Sequence, residues 1–346
     1  SPSLYVMGDN SGYLYEYNME AKDLQQHAII ENASANIAKK DKPDFEAITS
    51  FDDKLYVFGS GSTPKRNKMV EINTTEKEIK TNDLTDLYGV MQSFGQIKAD
   101  DFNLEGAIYT GKEWMLFNRG NGKKSKNVIF TIYGKNLINE FNMISNEYKL
   151  PKINGVRSSF TDAVLVDTKI YFLATAEDTQ STYNDGEVKG SLIGVIDVAT
   201  MKLEFTQKIS DTHKFEGLTL YQNSDKTLEF LLCEDKDSEV LETNIYKLVL
   251  DKSTLWMVNI GSTRDETQTI WDWKKQYELL INNKIKAQVH NMKMRTIFKL
   301  FAILIFTYSN AQNFQTQKIV VDLLTKLPLE NVIISNQKDY STTNID

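Results

Sequence analysis

Short runs of alternating apolar and polar residues, divided by turn residues, fill most of the first 250 positions of the chain. The fullest example runs from Asp44 to Asn73: DFEAIT, a brief turn, KLYVFGS, a polar loop GSTPKR, and then NKMVEIN. Side chains two apart share one face of a strand, so this alternation predicts three consecutive strands, and the short connections predict antiparallel pairing in one sheet.

The triplet recurs. Its first strand, an aromatic or Leu followed by an acidic or small residue, appears as FEAIT at Phe45, LEGAIY at Leu104, FTDAVLV at Phe160 and FEGLTLY at Phe215, at spacings of 59, 56 and 55 residues. A second apolar strand follows each: LYVFGS, WMLFNRG, IYFLATAED and LEFLLCED. LYVMGDN at Leu4 is a fifth copy of that second strand. A third strand closes every copy (YLYEYN, NKMVEIN, NVIFTIY, SLIGVIDV, NIYKLVL), and KEIKT and KLEFTQKI supply a fourth in some.

Three or four short strands repeating at this period predict an all-β fold, a β-propeller whose blades bury their faces on one another. Ring closure removes exposed sheet edges, which a β-sandwich of the same strands would leave. Five blades are visible, and a sixth is left open. The first copy lacks its inner strand, so the propeller is expected to be N-terminally truncated, with its true start upstream of Ser1.

Charge and cysteine content narrow the chemistry. Residues 1–250 carry 28 Lys and Arg against 38 Asp and Glu, which disfavours a phosphate-backbone partner; no nucleic acid is expected. The remaining residues carry 12 against 9, and three of the four tryptophans (Trp256, Trp271, Trp273) lie there, so a boundary is placed at residue 250. The single cysteine, Cys233, excludes a disulfide framework or a paired-thiol zinc site.

Candidate chemistry gathers at equivalent positions of the repeat. Glu46, Glu105 and Glu216 fall in register on the inner strands; Asp162 is displaced by one because Thr161 takes the aligned place. Inner strands line the channel of a propeller, so these four carboxylates are candidate ligands of a hard cation such as calcium, which takes six to eight oxygens. The competing reading is structural: each carboxylate accepts backbone N–H groups of the next blade and locks the ring.

A second set follows the second strands. Arg66, Asn118, Arg119, Asp178 and Glu234 are candidate ligand-binding residues for a small molecule or protein, and His213, three residues before Glu216, is close enough to join them. The bland counterpart is solvated hairpin tips and a surface histidine. GNGKKSK at Gly120 is no phosphate loop, and neither a G-x-S-x-G elbow nor an H-E-x-x-H pair occurs.

The runs KPDFEAIT, GSGSTPKRNK, NLEGAIY, FNRGNGKKSKN, SSFTDAVLVDTKIYFLATAEDTQSTYNDGEVKGSLIG and KFEGLTLY…FLLCED resemble an uncharacterised bacterial β-propeller family, a domain of unknown function, over about residues 3–250. More distantly they are similar to the esterase-like phytase propellers. The family resemblance implies the fold and no established activity. Two functions are therefore carried forward: a binding or scaffold module with calcium in the channel, and a metal-dependent hydrolase of phosphate or carboxylic esters in which Arg66 or Arg119 clamps the anion.

The tail reads differently. Residues 251–291 form a linker or helical junction; residues 292–312, MKMRTIFKLFAILIFTYSNAQ, have the basic start, apolar run and small-residue end of a signal peptide. That apolar run is too short to span a bilayer, and no transmembrane span is expected. Residues 313–346 resemble the opening of a carboxypeptidase-regulatory-like β-sandwich domain. Two joined reading frames are the expectation, with the tail exporting a separate downstream protein and the propeller's own location left open.

Overall fold

A computed structural model of the chain describes residues 3–122, 126–138, 142–179, 186–236 and 242–253, and the strand segments 318–322, 333–336 and 339–342. The junction and signal-peptide segments of the tail lie outside the described residues, as do Lys123, Lys124 and Asp185.

Five antiparallel sheets form the five blades of a β-propeller. The first contains β1 (Ser3–Met7), β2 (Tyr13–Asn18) and β3 (Asp23–Ala28); the second β4 (Phe45–Phe51), β5 (Lys54–Gly59), β6 (Lys68–Asn73) and β7 (Ile79–Asp83). The third holds β8 (Leu104–Tyr109), β9 (Glu113–Asn118), β10 (Asn127–Tyr133) and β11 (Asn142–Tyr148). The fourth has five strands, β12 (Lys152–Ile153), β13 (Val156–Val166), β14 (Lys169–Asp178), β15 (Glu187–Asp197) and β16 (Lys202–Ser210). The fifth holds β17 (Phe215–Asn223), β18 (Thr227–Glu234) and β19 (Glu242–Asp251), and its outer strand is β20 (Lys318–Asp322) from the tail, with Glu242 opposite Asp322. A separate hairpin pairs Ile333–Asn336 with Asp339–Thr342.

The alternation that predicted strands also builds the core. On β5, Tyr56 and Phe58 pack toward the third blade while Leu55 and Val57 face the first. On β9, Trp114 and Leu116 join the same cluster as Tyr56, whereas Met115 and Phe117 turn to the fourth blade with Phe160 and Phe172. Period-two side chains thus feed two interfaces from one strand, and both faces of each middle sheet are apolar. Aromatic rings meet edge-on across these interfaces, as Tyr56 does on Trp114 at 4.9 Å and Phe160 on Phe172 at 5.0 Å.

One element falls outside the repeat. Helix α1 (Thr85–Gly95) joins β7 to β8 and buries Leu87, Tyr88 and Met91, a spacing of one helical face. It ends at Gln96 in the left-handed region, and Tyr88 Oη donates to the Gly59 carbonyl at 2.8 Å, tying the helix to β5.

The chain divides into two compact units. The first comprises residues 1–221, 230–247 and 317–346; the second comprises 222–229 and 248–316. In the second, Lys252 donates through its backbone N–H to Lys226 and through Nζ to Asn223 Oδ1. Among the described residues no helix is long and apolar enough to cross a membrane.

Candidate functional site

Three of the inner strands carry a polar residue on a bulge. Register slips between Phe45 and Ala47 against β5, between Leu104 and Gly106 against β9, and between Phe160 and Asp162 against β14. The extra residue is Glu46, Glu105 or Thr161 in turn, the position that aligned in the repeat. A bulge re-aims its side chain out of the pleat, and in these three blades the same device turns one polar group out of register with its strand; of the three, Glu46 lines the cavity.

What those groups meet differs from blade to blade. Glu105 is buried and its Oε1 accepts from Asn103 Nδ2 at 2.5 Å and from Arg119 Nη1 at 3.1 Å. The same Nη1 lies 3.3 Å from Glu216 Oε1, and Nη2 donates to Glu177 Oε2 at 2.7 Å. Lys214 Nζ bridges Glu216 (3.3 Å) and Asp235 (2.9 Å). Four carboxylates from three blades therefore surround two buried cations. Burial works against the Arg119 charge, but Glu105, Glu216 and Glu177 outweigh it and hold the guanidinium above its ordinary range. Burial also lifts the Glu105 and Glu216 carboxyls, with Arg119 and Lys214 pulling them back.

The fourth blade is locked to the fifth by backbone contacts. Thr161 Oγ1 donates to the Phe215 carbonyl at 2.7 Å, and Asp162 accepts from Leu218 N and Ala163 N, both at 2.7 Å. Burial raises the Asp162 carboxyl well above the usual range, and those two N–H groups oppose the rise.

Glu46 stands apart. It lines the cavity half-buried, and no described residue gives it a hydrogen bond or an ion pair. Burial, followed by the charges of Glu105, Asp44, Asp9 and Glu216, pushes its carboxyl well above the ordinary value. Oxygens of Asp9, Asp44 and Glu46 all lie within 4.8 Å of one another. Asp44 is already fully engaged: Lys42 Nζ at 2.7 Å, Arg66 Nη1 at 2.8 Å and Ser60 Oγ at 2.5 Å. Lys42 also pairs with Asp9, and these two acids hold its ammonium above the ordinary range against the cost of burial.

The candidate ligand set is dispersed. Arg66 is buried on Asp44, and its Nη2 donates to the Lys39 carbonyl at 3.1 Å. Asn118 is a fully buried clamp, accepting from Asn103 N and donating to the Lys126 carbonyl. Arg119 is the hub just described. Asp178 is exposed at the end of β14. His213 Nδ1 lies 2.6 Å from Glu234 Oε1, and Tyr246 Oη donates to the other Glu234 oxygen. Burial raises that carboxyl, but the bonds from His213 and Tyr246 prevail and set it below the ordinary value. Cys233 lines the cavity with its thiol pushed up to about 12 by burial, so it is an inert wall.

Sequence reasoning passed over Lys42, Asp44, Glu177 and Lys214. The signal was one position upstream of the repeat: Asp44, Asn103, Ser159 and Lys214 each precede the inner-strand aromatic or Leu, and all four are polar and buried. Ser159 Oγ lies 3.4 Å from Arg119 Nε.

The family model described as Family of unknown function (DUF6929) matches residues 1–250. No curated protein matches the sequence. Among solved structures, Drosophila semaphorin 2a is similar at 13% identity and TM-score 0.33, the match covering 74% of this chain and 48% of that one. The chain thus spans about half the length of that protein. CoXyl43, a GH43 β-xylosidase/α-arabinofuranosidase from a compost microbial metagenome, is similar at 13% identity and TM-score 0.36, covering 60% and 73%. BamB from Moraxella catarrhalis matches at 9% identity and TM-score 0.28, covering 72% and 82%. At such scores these likenesses carry no functional argument.

Proposed function

The chain belongs to that family of unknown function, and from this premise we propose that its propeller is a binding module that takes a cationic group at Glu46, beside Asp9 and Asp44. One observation carries the reading. Of the four inner-strand acids, Glu105, Asp162 and Glu216 each have partners, while Glu46 faces the cavity with none among the described residues. A bound cation would favour the ionised form of Glu46 and offset the repulsion from Asp9 and Asp44. Three carboxylate oxygens are half of what calcium needs, so carbonyls or water must complete its shell. Lys42 is the built-in competitor, since its ammonium already neutralises two of the three acids.

The hydrolase reading needed Arg66 or Arg119 as an anion clamp. Both guanidiniums are buried in ion pairs, so neither is placed to clamp an anion. The boundary at residue 250 and the export signal at 292–312 stay as proposals, tested by sequencing the gene across codons 251–294.

Calorimetric titration of the full chain with calcium, magnesium and a methylated ammonium tests the binding reading. The expected result is saturable binding of one of them, weakened about tenfold or more by Glu46→Gln, the scale of one lost charge-assisted contact. No binding of any, or binding indifferent to Glu46→Gln, overturns it.

A further inference from the structure

The loop joining β9 to β10 is closed at both ends by asparagines. Asn118 Nδ2 donates to the carbonyls of Arg119 at 3.2 Å and Lys126 at 2.9 Å. Asn127 Oδ1 accepts from Gly120 N at 3.0 Å and from Phe160 N at 3.1 Å, and its Nδ2 donates to the Ser158 carbonyl at 3.0 Å. Buried polar groups are paired in this way almost without exception, because an unpaired one keeps its full desolvation cost. An exception therefore marks a place for a partner.

Two exceptions occur where this loop passes the segment that leads into β8. Asn121 Oδ1 is buried and accepts no hydrogen bond. Asp101, the last residue of a 3-10 turn (Ala99–Asp101), is 8% exposed, and no described residue gives its carboxylate a hydrogen bond or an ion pair. The backbone brings the two together. Beyond the antiparallel pair Leu104–Asn118, Arg119 N donates to the Asn103 carbonyl at 2.7 Å, and two residues further along each path come Asn121 and Asp101. A Cβ on Gly122 would stand 2.3 Å from Asp101 Oδ1, so that oxygen lies against the loop backbone and only glycine leaves it room. Among the described residues no backbone N–H reaches the carbonyls of Gly120 and Asn121.

We propose that Asp101 and Asn121 form a site for a hard cation such as calcium, distinct from the Glu46 group and not resting on it. Oxygens gathered without a donor among them suit an ion that takes oxygen ligands alone. The Asp101 carboxylate supplies the charge, Asn121 Oδ1 and the loop carbonyls supply neutral ligands, and water completes the shell. With a single carboxylate in the set, the site belongs to the weak end of calcium affinities, roughly 0.1–1 mM. A bound ion would pin the loop to the 3-10 turn, directly after the Arg119 hub.

The test uses the full chain carrying Glu46→Gln, so that the channel acids do not contribute, titrated with calcium alone and followed by calorimetry and melting temperature. Saturable binding is expected, with a melting temperature about 3 °C higher at a tenfold excess over Kd. Asp101→Asn is expected to weaken binding at least tenfold, and Asn121→Ala, which removes one neutral ligand, roughly threefold. Asparagine at 101 also brings an N–H donor to the unpaired Asn121 oxygen, so without calcium that variant is expected to melt no lower than its parent. Absence of saturable binding, or binding indifferent to both substitutions, overturns the proposal. So does an Asp101→Asn chain that melts below its parent without calcium, since that would mean an ammonium of the chain already holds the carboxylate.

Discussion

Glu46 and Glu105 occupy the same bulge of the same repeat one blade apart, and their surroundings have diverged. Glu105 lies beside a buried guanidinium with an asparagine amide on the same oxygen; Glu46 has neither. The difference traces to one position. Leu104 pairs with Asn118 and Phe45 with Gly59, so Ser60 stands where Arg119 stands in the next blade. The arginine of the second blade comes six residues later, on a turn of 3-10 helix, and spends its fork on Asp44. A repeat can therefore keep its backbone and its acid while one neighbouring residue decides whether that acid is a structural fixture or an open one.

The largest way to break this contrast is Arg119→Ala. Three buried carboxylates would lose their shared guanidinium, and removal of one partner from a buried ion network costs about 3–5 kcal/mol. Urea denaturation is expected to show a loss of that size, with Arg119→Lys intermediate because an ammonium lacks the fork that reaches two blades at once. A loss below about 1 kcal/mol would mean the hub contributes little, as exposed pairs do, and the contrast with Glu46 would collapse.

A smaller effect of opposite sign is expected at Glu46. Its folded carboxyl titrates above the unfolded one, so the protein binds more protons folded than unfolded. The stability this gives is present in full below the unfolded value of about 4.3 and is lost as pH rises through the raised one. Glu46→Gln removes that dependence. The variant is expected to match the parent at low pH and to exceed it by about 1 kcal/mol at neutral pH without added cation, the low end of the cost of an unpaired polar group, as befits a half-buried one. Chemical denaturation at a series of pH values checks it, and a variant that is less stable at neutral pH would show that Glu46 does have a partner.

The fold was legible because strand alternation and blade period are both one-dimensional signals. The inner acids were legible for the same reason, and the displacement at Thr161–Asp162 marked the one blade where a hydroxyl and a carboxylate divide the work of a single glutamate. Pairing was not legible. Arg119 reaches Glu177 and Glu216, 58 and 97 residues away, and no repeat spacing reveals which of several acids a long side chain will find. Helix α1 escaped for a different reason: a search tuned to period two passes over Leu84, Leu87, Tyr88 and Met91, whose spacing is helical.

The finest test moves the deciding residue itself. Ser60→Arg places a guanidinium at the position from which Arg119 serves Glu105, one blade earlier, within the register that β4 and β5 share with β8 and β9. It also removes the Ser60 hydroxyl from Asp44 and puts a long side chain at a fully buried position, so a net loss of about 1 kcal/mol is expected, the low end for overpacking a core. The readout is the pH profile, not the stability. A guanidinium on Glu46 would bring its carboxyl down toward the ordinary range, and the advantage that Glu46→Gln gives at neutral pH would vanish or reverse in the Ser60→Arg background. If that advantage persists unchanged, the arginine has not found the glutamate, and the fate of the inner acid is set by more than the residue that follows the second strand.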